Sequence, residues 1–368
     1  MITVLADDIT GAAEIAGIGL RFGLNVRFDF AGQLQEIPSA DVWVIASDTR
    51  SLPEKEACET VQKTAEFLSD NRIRSIFKKI DSALRGHVKP EIDALLAVIP
   101  KKQVFILPAN PEMGRTIQDR VYYINDQPLN ETSFADDPDF PAYCALVDKR
   151  LNIIPGGNYQ AQDCVHPNDF QAYAELASTD DTVLPVGGSA FFESYLQTCF
   201  PNVRKLKTIV NQSFSLGNMV LMVCGSTHET AKRFIRETKD FSIVEIPLQE
   251  ITGNDWANRI VERFQRHKRI LLTVSGHCSV TNDVSASQIK DCLASITRQV
   301  IRQYPVEELF IEGGATAYAL IRACGFSALI PVEEYARGVV RLKIPDKENL
   351  YVTIKPGSYE WPENLFQI

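Results

Sequence analysis

Ser75-Ile76-Phe77-Lys78-Lys79-Ile80-Asp81-Ser82-Ala83-Leu84-Arg85-Gly86-His87 is an apolar-flanked run that breaks into a dense group of charges. Residues 75–80 have the length and the β-favouring side chains of a strand. Two lysines, an aspartate, a serine and an arginine then arrive within eight residues and close at Gly86. Open α/β sheets bind ligands at the carboxyl ends of their strands. A strand end that offers both charge signs and a hydroxyl suits a small anionic, hydroxylated ligand. Taken alone, the stretch also reads as a solvated turn with a surface ion pair.

The neighbouring segments repeat the pattern. Residues 2–5 read as a short buried strand that turns at Asp7-Asp8-Ile9-Thr10-Gly11 into a helix over 12–22. Ile15, Ile18 and Phe22 share one face of that helix, Gly23 ends it, and Thr10 is the expected N-cap. One acid suffices for helix-start electrostatics, so the second of Asp7 and Asp8 is the functional candidate. Residues 42–46 form another apolar run, which ends in Ser47-Asp48-Thr49-Arg50 and leads into a helix to about residue 68. A helix over 90–99 and a strand over 104–107 follow, then the loop 108–116 with Arg115. Four strand ends thus carry Asp8, Asp48/Arg50, Lys79/Asp81/Arg85 and Arg115. The βαβα alternation predicts a doubly wound parallel sheet.

Residues 121–160 are turn-rich and hairpin-like, and 182–190 form a further strand-to-helix turn at Gly187-Gly188. The polar segment 201–217 lacks periodicity and is expected to divide two domains, 1–210 and 211–368. The fold class is α/β, each domain built on a mostly parallel sheet flanked by helices. In the second domain, strands are expected over 218–223, 270–274 and 308–312, and helices over 231–239, 255–266, 282–304 and 317–324. Residues 350–359 read as an edge-type strand and a glycine turn. Gly313-Gly314 between strand and helix would let backbone amides approach a phosphate. The competing reading is a turn needed only for packing. His228 is either a phosphate or metal contact or a structural donor.

The chain has 368 residues, enough for two domains with a core in each. A net charge of -9 opposes binding to a phosphate backbone, so no nucleic-acid partner is expected. No apolar run approaches a membrane span. Acids stand where a signal peptide would begin, which points to a cytoplasmic protein. The eight cysteines never form Cys-x-x-Cys and the histidines form no spaced cluster, so reduced thiols and no protein metal site are expected. Neither Gly-x-Gly-x-x-Gly nor a P-loop motif occurs, which argues against a nucleotide-dependent oxidoreductase.

Together these stretches resemble the four-carbon acid sugar kinase family over nearly the whole chain. Residues 5–12 are similar to the family's opening motif, and Ser47-Asp48-Thr49-Arg50, 78–86, 108–116 and 123–132 match its sugar-acid-binding half. Residues 225–230, 313–317 and Lys355-Pro356-Gly357 are similar to its nucleotide-binding half. The resemblance implies an ATP-dependent transferase of carbohydrate metabolism that phosphorylates the terminal hydroxyl of a threonate, erythronate or oxo-tetronate. Its partners would be the sugar acid and ATP, with Mg²⁺ arriving with the ATP; a homo-oligomer is left open. Asp7, Asp48, Arg50, Lys79, Arg85 and Arg115 are expected at the sugar acid, the cations holding its carboxylate. Asp8 is the expected base, with Asp81 the alternative. Ser226, His228, Gly313, Gly314, Ala315, Thr316 and Gly357 are expected at the nucleotide. Ala315 stands where the family has aspartate, which leaves open a second reading as a sugar-acid-binding regulator.

Overall fold

The computed structural model describes residues 1–137, 139–203, 215–226, 228–251, 255–275 and 284–366. The expected boundary segment lies largely outside these residues, as do Thr227, His277 and Cys278. The chain forms two compact units, Met1–Leu206 and Lys207–Ile368.

In the first unit, β1 (Ile2–Ala6), α1 (Ile9–Arg21), β2 (Val26–Phe30), β3 (Val42–Ala46), α2 (Glu54–Asp70), β4 (Ile76–Lys79), α3 (Val88–Val98) and β5 (Gln103–Leu107) follow in order. A small antiparallel sheet comes next: β6 (Arg115–Gln118), β7 (Val121–Ile124) and β8 (Gln127–Pro128). Then come α4 (Val147–Leu151), β9 (Tyr159–Ala161), α5 (Gln171–Thr179), β10 (Val183–Gly187) and α6 (Ser189–Cys199). The main sheet has the order β2-β3-β1-β4-β10-β5-β9, and its neighbours pair in parallel. β1, β3 and β10 are buried at every position, as strands covered on both faces must be. After β1 the chain builds β2 and β3 on one side, then crosses to β4 on the other. Such a switch point opens a crevice at the carboxyl ends of its strands.

The second unit repeats the device. It contains β11 (Val220–Cys224), α7 (Glu229–Glu237), β12 (Ser242–Ile246), α8 (Trp256–Phe264), β13 (Arg269–Val274), α9 (Ala286–Gln303), β14 (Glu308–Glu312), α10 (Gly314–Cys324), β15 (Ala328–Ala336), β16 (Val339–Lys343) and β17 (Tyr351–Lys355). Its strands lie in the order β12-β13-β11-β14-β17-β16-β15, parallel from β12 to β17 and antiparallel at β16 and β15. Its switch point lies between β11 and β14.

Several expectations are corrected. β17 is an interior strand, not an edge: β14 and β16 flank it, and Val352, Thr353, Ile354 and Lys355 are buried. The hairpin that covers it escaped sequence reading because β15 carries Pro331, Glu333 and Glu334 and is bulged, which spoils its alternation. Asp8, rather than Thr10, caps α1: it is extended at φ -141° and accepts the Gly11 N–H at 3.0 Å. Thr10 lies inside the first turn and donates its hydroxyl to Asp8. Aspartate is the better cap, and the helix starts earlier for it. α10 begins at Gly314 rather than at 317, because Gly313 at φ 98° supplies the cap geometry.

Two charges are built into the core of the first unit. Lys78 of β4 and Glu91 of α3 pair at 2.7 Å, with side chains 0% and 2% exposed. Removing one partner strands the other in a dry site, so Glu91→Ala is expected to cost about 3–5 kcal/mol. The joint replacement Lys78→Met/Glu91→Leu leaves no stranded charge and is expected to cost far less. Urea unfolding of both variants checks this; equal losses would mean the pair itself contributes most of the effect.

Candidate active site

Three strand ends of the first unit converge on one guanidinium. Arg50, in the turn after β3, donates Nε to Asp7 Oδ2 at 2.9 Å and Nη2 to Asp7 Oδ1 at 3.0 Å. The same Nη2 reaches Asp8 Oδ1 at 2.7 Å, and Nη1 stands 3.6 Å from Asp81 Oδ1. The sequence brings them together because β1 lies between β3 and β4, in register, so residues just past each strand share one edge. Asp7, Asp8, Asp81 and Lys79 are all buried. Lys79 donates to the Ile80 carbonyl at 2.9 Å. A Cβ at Gly11 would lie 2.6 Å from Asp8 Oδ1 and 3.1 Å from Lys79 Nζ, so glycine there leaves both groups their room.

Asp81 accepts from Ala83 N at 3.0 Å, Arg85 N at 3.2 Å, Arg85 Nε at 2.9 Å and Arg85 Nη2 at 2.8 Å. The loop that delivers these donors is sharply bent, with Leu84 at φ 59° and Gly86 at φ 87°. Non-glycine residues in this region carry a backbone cost that the surroundings must sustain. Burial opposes ionisation of Asp81, yet Arg50 and Arg85 outweigh it and hold the carboxyl well below its ordinary value. The Asp8 carboxyl is likewise lowered: burial raises it, and Arg50 and Lys79 more than reverse that.

Arg115 differs from Arg50 and Arg85. Among the described residues it has no acid partner; it donates to Ser82 Oγ and lies 5.9 Å from the Phe134 ring centroid. Arg85 covers the same ring at 5.4 Å. Among the described residues Arg150 donates to carbonyls, those of Leu84, Phe140 and Pro141 at 3.3–3.4 Å. Sequence reading counted the Ser82 hydroxyl without giving it a role, and missed Phe134 and Arg150 as neighbours of the site. Ser82 lies in the charged stretch itself, but no spacing rule marks the other two. Asp48 lies in the turn beside this cluster, at φ 50°.

In the second unit the expected nucleotide residues also gather at a switch point. Gly225 and Ser226 follow β11, Gly313 and Gly314 follow β14, and Gly357 follows β17. A Cβ at Gly225 would stand 2.1 Å from Thr316 Oγ1, and one at Gly357 would stand 2.3 Å from Ser226 Oγ. Thr230 Oγ1 donates to the Gly357 carbonyl at 2.8 Å. His228 is exposed and caps α7, accepting from Thr230 N. Ala315 lies exposed in the first turn of α10. Two helix amino termini and three glycine turns thus meet at one sheet edge, an arrangement that presents backbone N–H groups to an anion. Among the described residues no cluster of three or more metal-ligating side chains occurs, and no helix is long and apolar enough to cross a membrane.

The chain is similar to known proteins in both of its halves. Residues 2–152 match the model of a sugar-binding N-terminal domain, and residues 221–359 that of a nucleotide-binding C-terminal domain. A D-threonate kinase of Salmonella typhimurium is 30% identical over 363 residues, which cover 88% of this chain and 86% of that protein. A 3-oxo-tetronate kinase of Actinobacillus succinogenes is 22% identical over 413 residues, covering 98% of this chain and 96% of the relative. In fold, the chain is similar to a crystal structure from Haemophilus influenzae, with a TM-score of 0.75 and 21% identity, covering 100% of this chain and 98% of that one.

The lowered carboxyl of Asp81 has a consequence for stability. A carboxylate held below its unfolded value stabilises the fold fully above that value, about pH 4, and the contribution is lost as pH falls toward the folded value. Asp81→Asn is therefore expected to be markedly less stable than wild type at pH 7, and the gap should narrow at pH 3. Urea unfolding at the two pH values checks it. A gap that stayed constant would show that the charge of Asp81 is not what stabilises the site.

Proposed function

The chain belongs to the four-carbon acid sugar kinase family, and on that premise we propose that it transfers the γ-phosphoryl group of ATP to the terminal hydroxyl of a four-carbon sugar acid. The observation that carries this reading is the gathering of Asp7, Asp8, Arg50, Lys79, Asp81 and Arg85 at one sheet edge. Catalysis of phosphoryl transfer is mostly positioning and electrostatics, and the site is built for both.

The roles follow from what each group already holds. Arg50 and Arg85 are engaged by protein carboxylates and act here as the frame. Arg115, with a serine hydroxyl and an aromatic face but no acid, is the guanidinium left for the substrate carboxylate. Asp81 has its oxygens filled by four donors and serves as an anchor for the loop. Asp8 is the base: it needs to accept the hydroxyl proton only late, because the transition state is loose. Lys79, beside Asp8, offsets charge as the phosphoryl group arrives. In the second unit the glycine turns and the helix amino termini hold the nucleotide phosphates, with Mg²⁺ bound mainly by phosphates and water. Backbone amides do not depend on the side chain at Ala315, so its difference from the family does not favour the regulator reading.

ATP consumption with a panel of threonate, erythronate and 3-oxo-tetronate stereoisomers tests the activity. Turnover is expected with at least one acid, and none across the panel would refute the proposal. Asp8→Asn should lower kcat by about 10²–10⁴-fold with little change in KM. Arg115→Ala should raise the KM for the acid by roughly 30-fold, the loss of about 2 kcal/mol of charged hydrogen bonding. If Arg115→Ala left KM unchanged while Arg50→Ala raised it, the carboxylate would be assigned to Arg50 instead. Gly313→Val should abolish binding of an ATP analogue, since φ 98° excludes a branched side chain.

A further inference from the structure

Glu312 and Lys355 are the last residues of β14 and β17 and stand opposite one another in the parallel register. Each is followed by a turn assigned above to the nucleotide, Gly313-Gly314 after one and Pro356-Gly357 after the other. Their side chains, each 1% exposed, form an ion pair at 3.1 Å. A lysine ammonium has three N–H groups, and three acceptors surround this one. They are the Glu312 carboxylate, the Pro356 carbonyl at 2.9 Å and the Tyr359 carbonyl at 2.5 Å. Trp361 donates its indole N–H to the other Glu312 oxygen at 2.9 Å, and its ring centroid lies 5.1 Å from the ammonium. The turns are also joined directly, because Gly313 N donates to the Lys355 carbonyl at 3.0 Å.

A buried ion pair is seldom more stabilising than an apolar pair of the same volume. Burial also works against both charges here, raising the Glu312 carboxyl and lowering the Lys355 ammonium, and each partner opposes that shift. Fold stability alone therefore gives no reason for a charge network under these two turns. We propose that Lys355, Glu312 and Trp361 are positioning residues that fix the spacing between the Gly313-Gly314 and Pro356-Gly357 turns and thereby set nucleotide affinity. This inference rests on the reading that the second unit binds ATP. The ammonium holds the 356–359 turn by two of its carbonyls. That turn in turn carries Gly357, whose Cα faces Ser226 and whose carbonyl accepts from Thr230. A shift of the turn is passed to Ser226 and to the first turn of α7.

Calorimetric titration of the full chain with a non-hydrolysable ATP analogue and Mg²⁺ tests the proposal. The first variant is Lys355→Met/Glu312→Gln, which strands no buried charge and keeps an acceptor for the indole N–H. It is expected to bind the analogue about tenfold or more weakly, as a misplaced contact surface should. In turnover, KM for ATP should rise while KM for the sugar acid stays within about twofold. A folded double variant that binds like wild type overturns the proposal. Trp361→Phe covers the case in which that variant does not fold, since it keeps an aromatic ring and removes the indole N–H together with the pyrrole half of the indole. Its affinity should fall about threefold or more, and an unchanged affinity overturns the proposal as well. Failure of wild type to bind the analogue is a different result, because it refutes the nucleotide reading and this inference with it.

Discussion

Three carboxylates brought to one edge of a parallel sheet repel one another unless a cation stands among them, and in the first unit that cation is Arg50. It binds both oxygens of Asp7, shares a nitrogen with Asp8 and faces Asp81. Strands β1, β3 and β4 each contribute to this one contact, so the register of the sheet and the charge balance of the site are a single constraint. Arg85 and Lys79 complete it from the β4 side. Because Arg50 and Arg85 are already committed, the proposed function assigns ligand recognition to groups with less to hold, Arg115 foremost.

In the proposed function the two units solve the same problem by different means. At the first switch point charge is supplied by side chains, which are directional and can accept or give up protons. At the second it is supplied by backbone, through glycine turns and the amino termini of α7 and α10. A sugar acid has to be distinguished from its stereoisomers, which calls for side chains of definite shape. A polyphosphate offers many equivalent oxygens, and backbone amides meet these without selectivity for the rest of the molecule.

Much of this was legible in the chain. The repeated apolar run ending in charge placed Asp8, Arg50, Lys79 and Asp81 at one edge before any coordinates, because parallel strands with βα connections leave little choice. What escaped reading has physical causes. β2 alternates cleanly, with Val26, Phe28 and Phe30 buried, and was open to reading as a half-buried strand; β12 is short and half-buried and β15 is interrupted by proline and acids, so the periodicity of those two is weak. The cap of α1 was misplaced by two residues because Asp8 and Thr10 both fit the preference and only the backbone decides. Phe134 and Arg150 reach the site from the excursion after β5, where no local pattern encodes the destination. Lys78, Glu312 and Lys355 were visible as charges inside apolar runs. Such charges in strands buried on both faces must be paired, although the sequence does not name the partner.

The contact between Gly225 and Thr316 bears on how this protein can change over time. The glycine closes β11 and the threonine lies in the first turn of α10, and the space a methyl group would need at 225 is filled by the hydroxyl of 316. Neither position can drift alone. A side chain gained at 225 demands a smaller one at 316, and a smaller residue at 316 opens a gap beside the turn until 225 grows to fill it. Substitutions at these distant points of the chain are therefore accessible as pairs, and the order in which they arise matters: losing the hydroxyl first leaves a cavity, whereas gaining the side chain first produces a clash.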